Sequence, residues 1–235
     1  MLSNANSVLQ NKLLITLSRN TSREWLSQME PVTLKLGDVL SEANQPIGHV
    51  YFPDVGMVSL TAQMHEGNTV EIVTIGNDGI VGLPALLGTS MLPFRAFVQV
   101  PGHGLRMAVA NFQALVTKSQ RVSEILQRYV QTVFVQAGQS SACNRVHPIR
   151  QRCAKWLLTA QDRVGNVHFS LTQRFLAEML GVRRAGVNEV CRQLQQEGLI
   201  RYSRGHITIL DRPGLETAAC DCYRVIRGEY ERLFS

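Results

Sequence analysis

The feature that most constrains the fold is a change in the spacing of apolar residues near Ala110. Between Val32 and Met107, short runs rich in β-branched residues alternate with turn signals such as Gly37-Asp38, Glu66-Gly67-Asn68 and Pro101-Gly102. These signals recur about every ten residues, which is typical of an all-β sandwich or barrel. After Ala110 the apolar residues recur every three and four positions, as in an α-helix. The pattern therefore predicts a β-unit followed by a helical half.

The length and composition indicate an ordinary globular protein. The chain has 235 residues, of which 45% are hydrophobic and 18% charged, so we expect two compact units with real cores and no extended disorder. No run of about 18 apolar residues occurs, and residues 1–18 are too broken by polar residues to form a secretory signal. We expect a cytoplasmic protein that makes no contact with a membrane.

The positive charge is concentrated in the last part of the chain. Residues 1–145 hold ten Lys and Arg against nine Asp and Glu, whereas residues 146–235 hold fourteen against nine. Thirteen of those fourteen cations are Arg, whose planar donor group suits phosphates and guanine edges. Charge alone leaves a solvated basic surface open as the alternative.

A long helix is predicted after the β-unit, with a wide apolar stripe. This stripe either caps the β-unit alone or also packs on the helix of a partner chain, and its length favours both roles. Its predicted dimer-contact residues are Val122, Ile125, Leu126, Tyr129 and Val133.

A polar stretch with small residues, Gln136 to Asn144, follows this stripe, and Pro148 then restarts a helix. Such a stretch is typical of a domain boundary. We therefore expect a sensor unit at residues 1–110, a connecting or dimerisation helix with a hinge at 111–144, and a second domain at 145–235.

The segment from Thr172 to Leu194 has the spacing of a helix-turn-helix. Leu176 and Leu180 share the inner face of a first helix, Gly181 supplies a turn, and Val187, Val190 and Leu194 face inward from a second helix. The residues that remain outward on the second helix are Arg183, Arg184, Asn188, Glu189 and Arg192. Residues 197–209 then predict a hairpin with Arg204-Gly205 at its tip, which completes a winged helix-turn-helix. The alternative is a helical hairpin that serves only as scaffold.

On these residues the chain resembles the catabolite-activator/FNR (CRP/FNR) family of bacterial transcription regulators. The resemblance implies an α+β fold with an N-terminal cyclic-nucleotide-binding-like β-roll, a long dimerisation helix and a C-terminal winged helix-turn-helix. It also implies a homodimer that binds double-stranded DNA at a two-fold symmetric operator and contacts RNA polymerase if it is an activator. A structural DNA-binding protein with a vestigial roll remains an intermediate alternative.

The resemblance also assigns roles to individual residues. Ala185 and Glu189 stand where family members commonly carry Glu and Arg, so we expect an altered half-site. We interpret Asn188 as reading adenine, Arg184 guanine and Glu189 cytosine. The base-reading positions implied are Arg184, Ala185, Asn188 and Glu189, and the phosphate contacts are Thr172, Gln173, Arg183, Arg192 and Arg204.

The sensor departs from family members that bind cyclic nucleotides. Where those carry a Gly-Glu-Leu segment and an Arg-Ser pair, this chain has residues 82–86 reading Gly-Leu-Pro-Ala-Leu and residues 94–96 reading Phe-Arg-Ala. The expected effector pocket comprises Gly82, Leu83, Arg95 and Ala96. Because the ribose-binding glutamate is missing and Pro84 lacks an amide donor, we expect an effector other than cyclic AMP, or none.

No cofactor or metal is predicted. No cysteine precedes Cys143, and Cys220 and Cys222, placed on one helix starting at Pro213, would point about 200° apart, so unpaired thiols are expected. A cupin-like metal-dependent or ligand-binding β-barrel enzyme, with the helices as scaffold, is the alternative function. The β-unit has three histidines, His49, His65 and His103, but the sequence has no His-x-His pair of the kind that binds a metal in such enzymes. It also has no Gly-x-Ser-x-Gly nucleophile elbow. We therefore expect a regulator and not an enzyme.

Overall fold

The N-terminal half is an antiparallel β-roll. The computed structural model describes residues 9–64 and 69–235, so His65 and the turn predicted at residues 66–68 lie outside the described part. The strands of the roll are β1 (Glu30–Leu34), β2 (Val39–Ser41), β3 (His49–Gln63), β4 (Thr69–Ile75) and β5 (Arg95–Ala108). The sheet runs in the order β1-β5-β3-β4, and β2 pairs with β5.

The two long strands β3 and β5 form the centre of the roll. Their register pairs Val58 with Val98 and Leu60 with Ala96, and these apolar side chains are buried in the core. A Cβ at Gly104 would lie 2.3 Å from the carbonyl oxygen of Phe52, so only glycine fits where β5 crosses β3. The predicted β-unit is thus confirmed as a roll closed around an apolar interior.

Short helices pack against the roll and contribute to its core. They are α1 (Lys12–Arg19), a 3₁₀ turn (Glu24–Gln28), α2 (Leu83–Leu86) and α3 (Val109–Lys118). The side-chain oxygen of Asn11 accepts from the Leu14 amide and starts α1, while its amide nitrogen donates to the carbonyls of Pro53 and Gly79. This buried asparagine therefore both caps α1 and fastens it to the roll.

The long helix α4 (Gln120–Val146) passes without a break through the expected hinge at residues 136–144. Gln136 and Cys143 are buried along it, so tertiary contacts favour helix over the weak local propensity of the small polar residues. The chain turns at His147, whose extended backbone (φ −99°, ψ 141°) precedes Pro148. The change of direction therefore falls at residues 147–148.

The five side chains predicted to form a dimer contact are buried within the chain, and that prediction needs correction. Tyr129 is fully buried, and its hydroxyl accepts from the Ile80 amide at 3.1 Å and contacts the Ile80 carbonyl at 3.2 Å. The stripe covers the open side of the roll, which would otherwise expose its core. The buried set is Val122, Ile125, Leu126, Tyr129 and Val133. Phe134 is instead 77% exposed on the same helix.

The C-terminal half is mainly helical and carries a three-stranded sheet. Its elements are α5 (Ile149–Val164), β6 (His168–Ser170), α6 (Gln173–Leu180), α7 (Arg184–Gln196), β7 (Ile200–Ser203), β8 (His206–Ile209), α8 (Arg212–Ala218) and α9 (Cys222–Phe234). The sheet runs in the order β6-β8-β7. Helix α5 ends at Gly165 in the left-handed conformation (φ 70°), which is a common helix end. Among the helices of the described ranges, none is both long and apolar enough to cross a bilayer.

Candidate nucleic-acid interface

The two helices of the predicted motif pack against each other as the spacing indicated. Thr172 caps α6 by accepting from the Phe175 amide at 3.2 Å, and Gly181 ends that helix in the left-handed conformation (φ 62°, ψ 41°). Leu176 of α6 is fully buried. The inward residues of α7 join it in one core, and they are Val187, Val190 and Leu194. The turn thus fixes α7 at an angle to α6, with one face of α7 left outside.

The outward face of α7 lies in solvent. Arg183 caps the helix through its extended backbone (φ −69°, ψ 141°), and its side chain makes no capping bond. The free amides and the dipole at this end favour an anion such as a phosphate. Every side chain predicted to read bases or touch phosphates from α7 is exposed, namely Arg183, Arg184, Ala185, Asn188, Glu189 and Arg192.

Glu189 and Arg192 are already engaged with each other on this face. The Arg192 guanidinium donates to both carboxylate oxygens of Glu189 at 2.8 Å, and Gln193 donates to the same carboxylate at 3.0 Å. The hydrogen bond from Arg192, with that from Gln193, lowers the pKa of Glu189. A cytosine amino group would therefore compete with two side chains for this carboxylate.

The predicted wing is present next to the start of α6. Arg204 (φ 46°) and Gly205 (φ 79°) form the tip of the β7–β8 hairpin, and both positive φ angles suit a tight two-residue turn. The Leu171 amide donates to the Gly205 carbonyl at 2.7 Å. This bond holds the backbone of the wing tip next to the start of α6. Gln173 is half-buried, whereas Thr172 and Arg204 are exposed.

Comparison with known families agrees with this geometry in both halves of the chain. The model of the cyclic nucleotide-binding domain matches residues 31–119, and that of the Crp-like helix-turn-helix domain matches residues 151–218. The chain belongs to the CRP/FNR family. A sequence search against curated proteins finds no match.

Solved structures share the fold of this CRP/FNR protein at low sequence identity. FixK2 from Bradyrhizobium japonicum is 14% identical with a TM-score of 0.71, over 82% of this chain and 98% of its own. A Crp/Fnr-family regulator from Eubacterium rectale is 18% identical with a TM-score of 0.67, over 86% and 96%. The c-di-GMP responsive global regulator CLP from Xanthomonas campestris is 13% identical with a TM-score of 0.64, over 84% and 99%. At these identities the likeness shows the fold alone.

In this CRP/FNR protein, the described residues of the sensor enclose a small cavity where the effector pocket was expected. The cavity is about 20 Å³, whereas ligand pockets are roughly 300–1,000 Å³. Gly82, Leu83 and Ala96 line it, and their role in binding an effector stays a prediction. Arg95 does not line it, because its side chain is 46% exposed and pairs with Glu42 at 3.2 Å. As the described residues place its walls, this cavity is too small for a nucleotide.

A buried polar network joins the sensor to the DNA-binding half, and the sequence analysis missed it. The Nε of Arg163 on α5 donates to both carboxylate oxygens of Asp78 at 3.2 and 3.3 Å, and its Nη2 donates to Gln136 at 2.9 Å. The guanidinium also lies 5.0 Å from the ring centre of Tyr230. Burial, the largest single influence, would lower the pKa of Arg163, but the charge and hydrogen bonds of Asp78 together with the neighbouring Tyr230 and Tyr129 outweigh it and raise the pKa. The only signal in the sequence was an arginine on the inner face of a helix.

Two further contacts join the DNA-binding half to the roll. The Trp156 indole of α5 donates to Glu71 of β4 at 2.9 Å. Phe175 of α6 meets Phe97 of β5 edge-to-face at 5.9 Å between ring centres. The helix-turn-helix therefore lies against the roll, with the outward face of α7 left free.

The structure corrects the expected placement of the cysteines. Helix α8 ends at Ala218, so Cys220 lies in the linker before α9 and does not share a helix with Cys222. Without a common helix axis, the two thiols are free to point to the same place. They meet Cys143 and His147 at the end of α4, and the four ligand atoms lie within 4.8 Å of one another.

Proposed function

We propose that this chain is a homodimeric, sequence-specific transcription regulator that binds a two-fold symmetric operator. The observation that carries the proposal is the exposed N-terminal end of α7, where Arg183, Arg184 and Asn188 stand free above the buried core of the motif. In a dimer, two such ends would enter successive major grooves at half-sites about 34 Å apart.

The division of roles follows from the positions on α7. Arg183 lies at the helix start, where backbone amides and dipole favour a phosphate. Arg184 and Asn188 lie one turn apart on the exposed face, and their side chains suit guanine and adenine edges. The pairing of Glu189 with Arg192 makes cytosine readout by Glu189 dependent on release of that pair.

We place the dimer contact on the exposed side of α4. Phe134 projects there beside a groove of about 480 Å³. The groove is lined by residues of α2, α3 and α4, among them Val130, and by Leu87, which directly follows α2 and is 53% exposed. A protruding aromatic ring and a groove on one helix form a self-complementary surface, which is what a two-fold interface requires. The occupant we propose is therefore the same face of a second copy.

The signalling route we propose runs from the small sensor cavity to α5. Val81, Gly82 and Leu83 line that cavity, and Asp78 precedes them in the same loop. Enlarging the cavity to admit an effector would displace this loop and with it the partner of Arg163. An apolar effector fits the lining better than a cyclic nucleotide does.

Selection of bound duplexes from a random library, followed by titration at fixed salt, tests the proposal. The recovered sequences are expected to contain an inverted repeat and to bind about 1,000-fold more tightly than an unrelated duplex of equal length. Affinity should also fall steeply with salt, because arginines displace counterions from phosphates. Equal affinity for all duplexes would contradict sequence-specific binding.

The cupin-like enzyme predicted as an alternative lacks support. His49 and His103 lie on β3 and β5, and neither belongs to the cluster of potential metal ligands found among the described residues. The match of residues 31–119 to a cyclic nucleotide-binding domain favours a sensor in this position.

A further inference from the structure

We propose that Cys143, His147, Cys220 and Cys222 form a mononuclear zinc site that joins the end of α4 to the start of α9. The four side chains come from two segments 77 residues apart in the chain, and three of them are buried while His147 is half-buried. Three thiolates and one imidazole are a common ligand set for structural Zn²⁺.

The distances between the ligand atoms fit a single tetrahedral ion. Zn–S bonds of about 2.3 Å and Zn–N bonds of about 2.1 Å put neighbouring ligand atoms roughly 3.5–3.8 Å apart. The Sγ atoms of Cys143 and Cys220 are 3.5 Å apart, and Cys222 Sγ lies 3.5 Å from His147 Nδ1. These are two opposite edges of the expected tetrahedron.

The same distances argue against an iron–sulfur cluster. A cluster contains several iron and sulfide ions and holds its protein ligands around the outside, farther apart than around one ion. All four ligand atoms lie within 4.8 Å of one another, which leaves space for one ion only.

Two buried cations beside the cluster provide an independent reason for a charged group here. Arg152 and Lys155 on α5 are 7% and 8% exposed, and both are near enough to Cys143 to interact with it electrostatically. The Nη2 of Arg152 donates to the carbonyl of Leu180, but its Nε is buried without a hydrogen-bond partner. Within the described ranges, no ion pair with a carboxylate is found for either cation. Buried charges are normally compensated.

A zinc ion bound by three thiolates and a neutral histidine would supply this compensation. On binding, the three thiols release their protons to solvent, and no electron is transferred. The resulting centre has a net charge of minus one, opposite to the two cations. Gln139 donates to Cys222 at 3.2 Å, as an outer partner that fixes the direction of a thiolate ligand.

The position of the site indicates what it does for the protein. Cys143 and His147 lie just before the turn at Pro148, and Cys220 and Cys222 border α9, which packs along α4. One ion would therefore fix the orientation of the DNA-binding half relative to the long helix. This role is independent of whether the operator proposal holds, since it is measured without DNA.

Metal analysis of the full chain, purified with reductant and without chelator, tests the site. We expect one zinc per chain, and an absorption spectrum of tetrahedral thiolate coordination after replacement by Co²⁺. X-ray absorption should show three sulfur ligands and one nitrogen ligand. Returning Zn²⁺ to the stripped protein should raise Tm by roughly 10 °C when zinc is in large excess over its Kd.

Matched variants distinguish this site from adventitious binding. Cys143→Ser and His147→Gln should each weaken zinc binding by at least tenfold. Removing only an outer partner of a ligand already weakens metal binding by about tenfold or more, and these variants remove a ligand itself. Cys191→Ala and His206→Gln, which alter a cysteine and a histidine outside the cluster, should retain one zinc. The proposal would be overturned by a stripped wild-type protein that takes up no Zn²⁺, by a Cys143–Cys220 disulfide that persists in the presence of reductant, or by iron with acid-labile sulfide.

Discussion

Arg183 and Arg184 are neighbours at the exposed start of α7, but we propose that Arg184 contacts a base and Arg183 a phosphate. We expect Arg184→Ala to lose about 1–3 kcal/mol of discrimination at one base pair, because a guanine would lose a two-bond contact. Arg183→Ala should weaken binding to all sequences alike and reduce the salt dependence. Affinity of both variants for a panel of single-base operator variants measures the difference, and the reverse pattern would contradict the role assignment.

Arg163 and Asp78 form the buried ion pair between the two halves. Arg163→Met should lower the free energy of unfolding by about 3–5 kcal/mol, because it leaves the Asp78 carboxylate buried without its cation. The double variant with Asp78→Asn should cost less than the sum of the single changes.

Denaturant titration of the single and double variants measures this coupling. The control is Arg121→Met, which removes an ion pair with Glu124 whose side chains are 49% and 42% exposed and should change stability by less than about 1 kcal/mol. Additive effects of the two buried changes would show that Arg163 and Asp78 do not stabilise the protein as a pair.

At the scale of elements, helix α4 has one face packed on the roll and one face exposed to solvent. One face is buried against the roll, and the other presents Phe134. Phe134→Asp should weaken the proposed dimer by about 100-fold or more, since an aromatic residue at the centre of an interface contributes at least about 2 kcal/mol and a charge in its place must be desolvated.

Analytical ultracentrifugation over a range of concentrations measures this dissociation. Leu36→Asp is the control, because Leu36 is 66% exposed and does not line the groove. If the dissociation constant of the dimer were unchanged by Phe134→Asp, the interface would have to lie on another surface.

The elements also show where sequence analysis succeeds. The cores of α6 and α7 and the wing follow local rules of spacing, capping and turn formation, so Leu176, Gly181 and Arg204-Gly205 could be placed from the sequence. The apolar stripe of α4 was equally visible. Its pattern could not tell whether the roll or a second chain covers it, because both present the same apolar surface.

Contacts between distant segments could not be predicted in the same way. Arg163 and Asp78 are 85 residues apart, and Cys143 and Cys220 are 77 apart. Neither pair has a local signature, since each depends on how the two halves dock. Assuming one helix from Pro213 through Cys222 also hid the cluster, because the break at Ala219 lacks a glycine or proline signal.

At the scale of the whole molecule, the two cores are interleaved. Met57 and Val100 of the roll belong to the core of the DNA-binding half, and Ile226, Tyr230 and Leu233 of α9 belong to the core of the roll. We therefore expect one cooperative thermal transition, with equal calorimetric and van't Hoff enthalpies. Two separate transitions in the calorimeter would show that the halves unfold independently, and Arg163→Met is the variant most suited to separate them.

Helix α9 follows the DNA-binding motif in the chain but packs in the core of the roll, which decides the effect of a C-terminal truncation. A premature stop codon after Leu210 would spare every residue of the DNA-reading motif. The shortened product would nevertheless lose Ile226, Tyr230 and Leu233, which help to cover the sensor core. The DNA-binding half would lose Leu215, Ala218 and Tyr223 from its own core as well. Such a truncation should therefore destabilise the sensor together with the DNA-binding half, although the sensor lies far upstream of the stop codon.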